Sequence, residues 1–435
     1  MSALGQKRTS GSRLGHVRFT PGSGHQPAGA GLSALCQKRH VTGVPGRERI
    51  ASLVFPRPRM KFTMGASRVQ MRQREALMGY RIALIGFVVA AALQPALADP
   101  PKFQVDPSWP QTLPNNWIIG TIGGITVDAQ DHIWINQRPS SLDAREKRAS
   151  TDTNVKCCVP APPVIEFDQA GKVVQGWGGD GPDYKWGNDG HGIHVDHNNF
   201  VWVGDNVTTG GHIFKFTRDG KFVMRIGKPG TPGGSNDTEH LGRPADMVVD
   251  RETNELFVAD GYGNKRVIVF DAATGVYKRH WGAYGKPPSD EKVAWDPKGP
   301  PPQQFTNPVH CITITNDGLV LVCDRQHNRM QMFRKDGTFV REIFVLKDSY
   351  PGTIGSIVKW PDAAQTYLLV VDDPNGQFHV IDRASGALVG SYGRVGHQLG
   401  EFYNLHFIGI DSKGNVYSAE VQGKRVQKFR NLGGL

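Results

Sequence analysis

Three histidines, an arginine and a tyrosine carry the chemistry that this 435-residue sequence could perform. His191, His310 and His406 sit in three short apolar runs, Gly190-His191-Gly192-Ile193, Val309-His310-Cys311-Ile312 and Leu405-His406-Phe407-Ile408. Neutral imidazoles suit Zn²⁺, which takes nitrogen at about 2.0–2.1 Å, and three protein ligands leave a fourth position for water or substrate. Arg138 supplies a planar fork that can hold a carboxylate by two hydrogen bonds. Tyr262 supplies a phenol, which beside a divalent cation loses its proton more readily than in water. A single histidine at a channel mouth needs no ligand role. What singles out these three is a shared position in a repeat.

The repeat is clearest at residues 305–343. An alternating run at 309–315, the turn Asn316-Asp317-Gly318, and a second apolar run ending at Asp324 read as a hairpin. Residues 329–333, the turn Lys335-Asp336-Gly337 and residues 338–343 add a third and a fourth strand. Six such units align, with second strands at 133–136, 201–205, 256–260, 320–324, 368–372 and 416–420. Four short strands per period of about 40–50 residues predict radial blades, each completed by its neighbours. The expected fold is all-β, a six-bladed β-propeller.

Counting back five residues from the end of each first strand reaches Gly123, His191, Ala245, His310, Ile357 and His406. The histidines therefore fall in blades two, four and six, and their innermost strands should set three imidazoles around one axis at one level. In an antiparallel meander the start of the first strand and the end of the second share a face. The position two residues past the second strand borders the same mouth, and in blades one and three it holds Arg138 and Tyr262. Asn264-Lys265-Arg266 and Asn328-Arg329 recur at one place in the repeat and read as structural. The last blade has only three strands before the C-terminus, so the segment 116–120, NWIIG, is expected to complete it and close the ring.

The formal charge of +11 does not imply nucleic acid. Of the 51 Lys and Arg residues, 15 lie before Asp99, against 2 of the 40 acidic ones, which leaves 36 basic and 38 acidic groups in residues 99–435. Tyr80-Arg81, the apolar run 82–93 and Ala96-Leu97-Ala98 read as a secretory signal over 78–98. The run is shorter than the roughly 18–20 residues of a membrane span. The expectation is a periplasmic or secreted domain, 99–435, with no membrane span after cleavage. Residues 1–77, rich in Gly, Pro and Arg, read as a disordered or mis-assigned extension. Cys311 faces Cys323 if Thr315 faces Leu319, which leaves either a cross-strand disulfide or two buried thiols. Cys157 and Cys158 are adjacent in a loop, and no CxxC spacing marks a cysteine zinc site.

With these residues in view, the chain over about 115–430 resembles the NHL-repeat propellers and, within them, peptidyl-α-hydroxyglycine α-amidating lyases. Ala259-Asp260-Gly261-Tyr262-Gly263-Asn264-Lys265-Arg266 resembles the family's catalytic-tyrosine segment, the three histidine runs resemble its zinc segments, and Arg138 falls where it carries an active-site arginine. The resemblance implies a zinc-dependent lyase that cleaves a carbinolamide to an amide and glyoxylate, acting on a small peptide or acyl-hydroxyglycine substrate. Three departures are present: Phe407 stands where the family has an Asp, which removes an acidic group from its central calcium site; Gly263 stands where it has a Cys; and its Pro-His pairs are replaced by Gly190-His191, Val309-His310 and Leu405-His406. Two other readings remain open. One is hydrolysis of a lactone or ester by metal-bound water; the other is a non-catalytic propeller binding a protein or glycan.

Overall fold

The computed structural model describes residues 99–435 apart from Thr209 and Gly434, so the expected signal at 78–98 and the extension before it lie outside the described residues. Six four-stranded antiparallel sheets follow one another along the chain. Their innermost strands are Thr121–Val127, Gly190–Val195, Asp246–Val249, Val309–Ile314, Ile357–Lys359 and Leu405–Ile410. Each lies beside the innermost strands of the two neighbouring blades, and the sixth packs on the first, so the ring is closed. The second strands, Ile133–Arg138, Val201–Asp205, Glu255–Asp260, Val320–Asp324, Tyr367–Asp372 and Val416–Glu420, carry the apolar runs that mark the repeat. They are buried almost throughout, because both of their faces meet a neighbouring sheet. Among the described residues no helix is long and apolar enough to cross a membrane.

Two carboxylate devices recur. At the first hairpin of blades one, two and six an aspartate caps the turn and binds an aromatic side chain six residues on. Trp134 and Trp202 each donate their indole N–H to Asp128 and Asp196 at 2.9 Å, and the Tyr417 hydroxyl donates to Asp411 at 3.0 Å. The other oxygen of Asp128 accepts the Gln130 and His132 amides. At the opposite end of the blade the residue closing the second strand is paired with a base at the start of the third or just before it: Asp260 with Arg266, Asp324 with Arg329, Glu420 with Arg425. The same guanidiniums donate to carbonyls of the inter-blade connections, His240, Gln304 and Glu401. The recurring Asn and Arg are thus structural, as their repetition implied. The carboxylate is buried in each pair, so removing its basic partner strands a charge.

Closure is made by an N-terminal strand, but not the expected one. Phe103–Asp106 is the outermost strand of blade six, with Phe103 opposite Asn431 and Asp106 opposite Lys428. The Phe103 ring meets Phe378 and Tyr392 edge-on. The expected closing segment, NWIIG, instead places Trp117–Ile118 in a short parallel pair with Val159–Pro160. The reason is chain travel: Trp109 is anchored between Phe167 and Tyr417, so the chain has already left blade six before it reaches residue 116. Cys311 and Cys323 form a disulfide across the first hairpin of blade four, and Cys157 and Cys158 are joined to each other in the long loop of blade one.

Candidate metal and catalytic site

The three histidine-bearing strands share an irregularity that the repeat alone does not reveal. In blade two Gly190 pairs with Asp205 and Ile193 with Val203; in blade four Val309 pairs with Asp324 and Ile312 with Val322; in blade six Leu405 pairs with Glu420 and Phe407 with Ala419. The register steps by one residue at each histidine, the signature of a β-bulge, which re-aims a side chain out of the pleat. Here the bulges bring His191, His310 and His406 together: every pair of rings lies with centroids 4.7 to 5.2 Å apart. All three side chains are buried.

Hydrogen bonds fix which nitrogen faces the centre. His191 donates Nδ1–H to the Ala245 carbonyl at 2.6 Å, and His310 donates to the Gly355 carbonyl at 2.5 Å. Each bond holds the tautomer whose Nε2 lone pair points inward, the usual outer support of a metal-ligating imidazole. The Nε2 atoms of His310 and His406 are 3.1 Å apart. Tetrahedral ligation at about 2.0–2.1 Å puts neighbouring nitrogens about 3.3 Å apart, so the donor set fits one small divalent cation. Burial pushes all three imidazoles well below their ordinary pKa; the Arg138 guanidinium adds to this at His191 and Arg325 at His310. They are therefore neutral, as ligands must be.

Tyr262 stands over this cluster. Its hydroxyl is 3.0 Å from His310 Nε2 and 3.2 Å from His191 Nε2, and Arg325 Nη1 lies 3.5 Å away. Burial raises the phenol's pKa, and the Arg325 and Arg138 charges oppose that rise. Arg138 lines the same cavity, held by Nε–H to the Gly190 carbonyl and by an ion pair with Asp189, both at 2.8 Å. The structure thus brings together all five residues singled out from the sequence. Phe407, buried, lies directly beneath: its ring stacks on His310 and meets His191 edge-on. An apolar ring stands where the resemblance would place an acidic ligand for calcium.

Sequence reasoning missed several residues of this cavity. Arg243 and Arg325 also line the cavity, with Asn206 and Asn404. The Arg243 guanidinium lies over the Tyr262 ring, 5.6 Å from its centroid, its Nε–H is held by Asn206 Oδ1 at 2.7 Å, and its carbonyl accepts the Tyr262 amide. Arg325 is paired with Asp373 at 3.2 Å. Arg325 directly follows the second strand, one position short of the offset that locates Arg138 and Tyr262. Arg243 precedes a first strand with φ of 63°. A left-handed arginine is uncommon and accompanies functional sites more often than chance.

The chain is similar to peptide-amidating lyases and to NHL-repeat proteins. It is 32% identical to peptidyl-glycine alpha-amidating monooxygenase B of Xenopus laevis over 155 residues, which is 35% of this chain and only 16% of that longer protein. It is 24% identical over 348 residues, 74% of this chain and 58% of the other, to peptidyl-alpha-hydroxyglycine alpha-amidating lyase 1 of Drosophila melanogaster. NHL repeat-containing protein 3 of Mus musculus matches 76% of this chain and 84% of its own length at 26% identity. No family model matches the chain.

Proposed function

We propose that this chain is a metal-dependent carbon–nitrogen lyase that cleaves a peptidyl-α-hydroxyglycine-like carbinolamide to an amide and glyoxylate. The observation that carries the reading is the Tyr262 hydroxyl, set 3.0 and 3.2 Å from two of three converging imidazole nitrogens and facing Arg325. Similarity to the amidating lyases supports it. His191, His310 and His406 would hold the metal, and zinc suits three neutral nitrogen donors. When bound, such an ion supplies Lewis acidity and lowers the cost of developing oxyanion charge.

The protein's own groups account for the remainder. With a divalent cation held beside it to favour the phenolate, Tyr262 would take the proton of the substrate's carbinol hydroxyl. The oxygen's electron pair then forms the C=O of glyoxylate while the C–N bond breaks, and the amide nitrogen leaves with the C–N bonding pair and takes a proton. The Tyr262 phenol is placed to return it. Arg138 and Arg325 orient the carboxylate of the hydroxyglycine end. Asp189 and Asp373 keep those guanidiniums fixed, so little ordering is left for the reacting complex. Export belongs to the same proposal: two disulfides among the described residues suit an oxidising compartment.

The test is direct. The purified chain, reconstituted with zinc, is incubated with N-benzoyl-α-hydroxyglycine, and glyoxylate and benzamide are quantified against a metal-stripped control. Equimolar release of both, dependent on metal, is expected. Benzoate in place of benzamide would show hydrolysis of the acyl group and exclude the lyase reading, as would absence of turnover in protein that demonstrably holds metal.

A further inference from the structure

On the far side of the Phe407 ring the propeller axis opens into a second cavity of about 270 Å³, lined by all six innermost strands. About half of its lining residues are aliphatic, including Ile125, Ile193, Val248, Ile312 and Ile410, and polar groups share the rest of the wall. Into this cavity project groups that the proposed lyase chemistry does not use. Lys359 donates from Nζ to Thr313 Oγ1 at 2.7 Å and to the Ile314 carbonyl at 2.8 Å, both uncharged acceptors. It makes no ion pair with any described carboxylate, and its third ammonium proton has no protein acceptor. His194 lines the same cavity with Nε2 buried and without a hydrogen-bond partner.

We propose that this axial cavity is a binding site for a small monocarboxylate, its charge held by Lys359 and His194 and its hydrocarbon part laid against the isoleucine wall. A partly buried cation with only neutral partners gains most from an anion that fills its remaining donor direction. His194 in its Nε2–H form adds a second donor. The Lys359 ammonium is drawn down to about 8, chiefly by burial and further by Arg383, and so remains largely charged at neutral pH. Asp246 is the acidic group in the cavity. One of its oxygens accepts the Ile312 amide at 3.1 Å, and burial lifts its pKa to about 7, so it does not stand as a full opposing charge. The site favours one negative charge over two, and a short aliphatic tail over none.

The experiment is thermal unfolding of the full chain titrated with sodium butyrate, against sodium chloride at equal ionic strength. A saturable rise of a few degrees with butyrate, at least twice that with chloride, is expected. Lys359→Met should abolish the difference; His194→Phe, which leaves the lysine in place, should shift its midpoint at least threefold upward in butyrate. A carboxylate could also bind at the three histidines, so the titration is repeated on His406→Ala, where the butyrate-specific rise should persist. Equal shifts with chloride and butyrate would overturn the proposal. So would a butyrate shift that survives Lys359→Met but disappears in His406→Ala. If Lys359→Met does not fold, saturation transfer from the wild type and from His194→Phe to the butyrate methyl decides, and equal transfer from both rejects the site.

Discussion

Replacing Tyr262 by phenylalanine removes one oxygen and nothing else from the centre of the candidate site. The ring should stay where it is. Its amide donates to the Arg243 carbonyl at 3.2 Å, and the Arg243 guanidinium covers its face, and neither contact involves the hydroxyl. The hydroxyl's own contacts are to His310, His191 and Arg325, so its loss should cost stability only the value of an ordinary hydrogen bond, about 0.5–1.5 kcal/mol. Catalysis should respond on a different scale. A positioned acid–base group is worth about 10²–10⁴ in rate, or about 3–5 kcal/mol of barrier. The assay is kcat for glyoxylate release from N-benzoyl-α-hydroxyglycine, with bound metal measured on the same samples by elemental analysis. The expected result is kcat lowered at least a hundredfold with one metal per chain retained. A variant that keeps its metal and turns over within threefold of the wild type would refute the role of Tyr262. A variant that loses its metal would refute the assignment of the ligand set to the histidines alone.

The remaining predictions concern ligands, closure and pH. Separate substitution of His191, His310 and His406 by alanine should each sharply lower bound metal, measured without a histidine tag, because each removes one of three donors converging on one point; retention in any two variants would separate the cluster from metal binding. Phe103→Ala should lower the thermal midpoint by a few degrees, since the half-buried ring clasps Phe378 and Tyr392 at the closure and is worth about 2 kcal/mol, whereas Trp117→Ala, outside the closing strand, should leave blade six protected in hydrogen exchange. Asp246, with a usual value of 3.8, is lifted to about 7 by burial, so the folded chain holds a proton that the unfolded chain releases; stability should fall as pH rises from about 4 through 7, and Asp246→Asn should flatten that slope in urea titrations.

Much of the site was legible because a propeller repeats. Once the strands were aligned, a shared offset was enough to group His191, His310 and His406 and to place Arg138 and Tyr262 at the same mouth, and no contact information was needed. The second-strand runs were equally legible, since a strand buried on both faces must be apolar throughout. The closing strand was misplaced for the converse reason. Phe103–Asp106 is only four residues long, and its place is set by partners far away in sequence: Val426–Asn431, with which it pairs, and Phe378 and Tyr392 of blade five.

The sequence by itself determined the number of blades, the alternation of the histidines around the axis, and the offset that carries Arg138 and Tyr262, because each of these follows from a period and a polarity pattern. Only the tertiary structure decided how those groups meet. The bulges at the three histidines depend on pairing register, which shifts by a single residue without altering the hydrophobic pattern. Arg243 and Arg325 reach the cavity from connections whose paths are set by neighbouring blades. Phe407 became the floor between the histidines and a second cavity because six innermost strands converge there, and convergence on an axis is a property of the closed ring that no single repeat encodes.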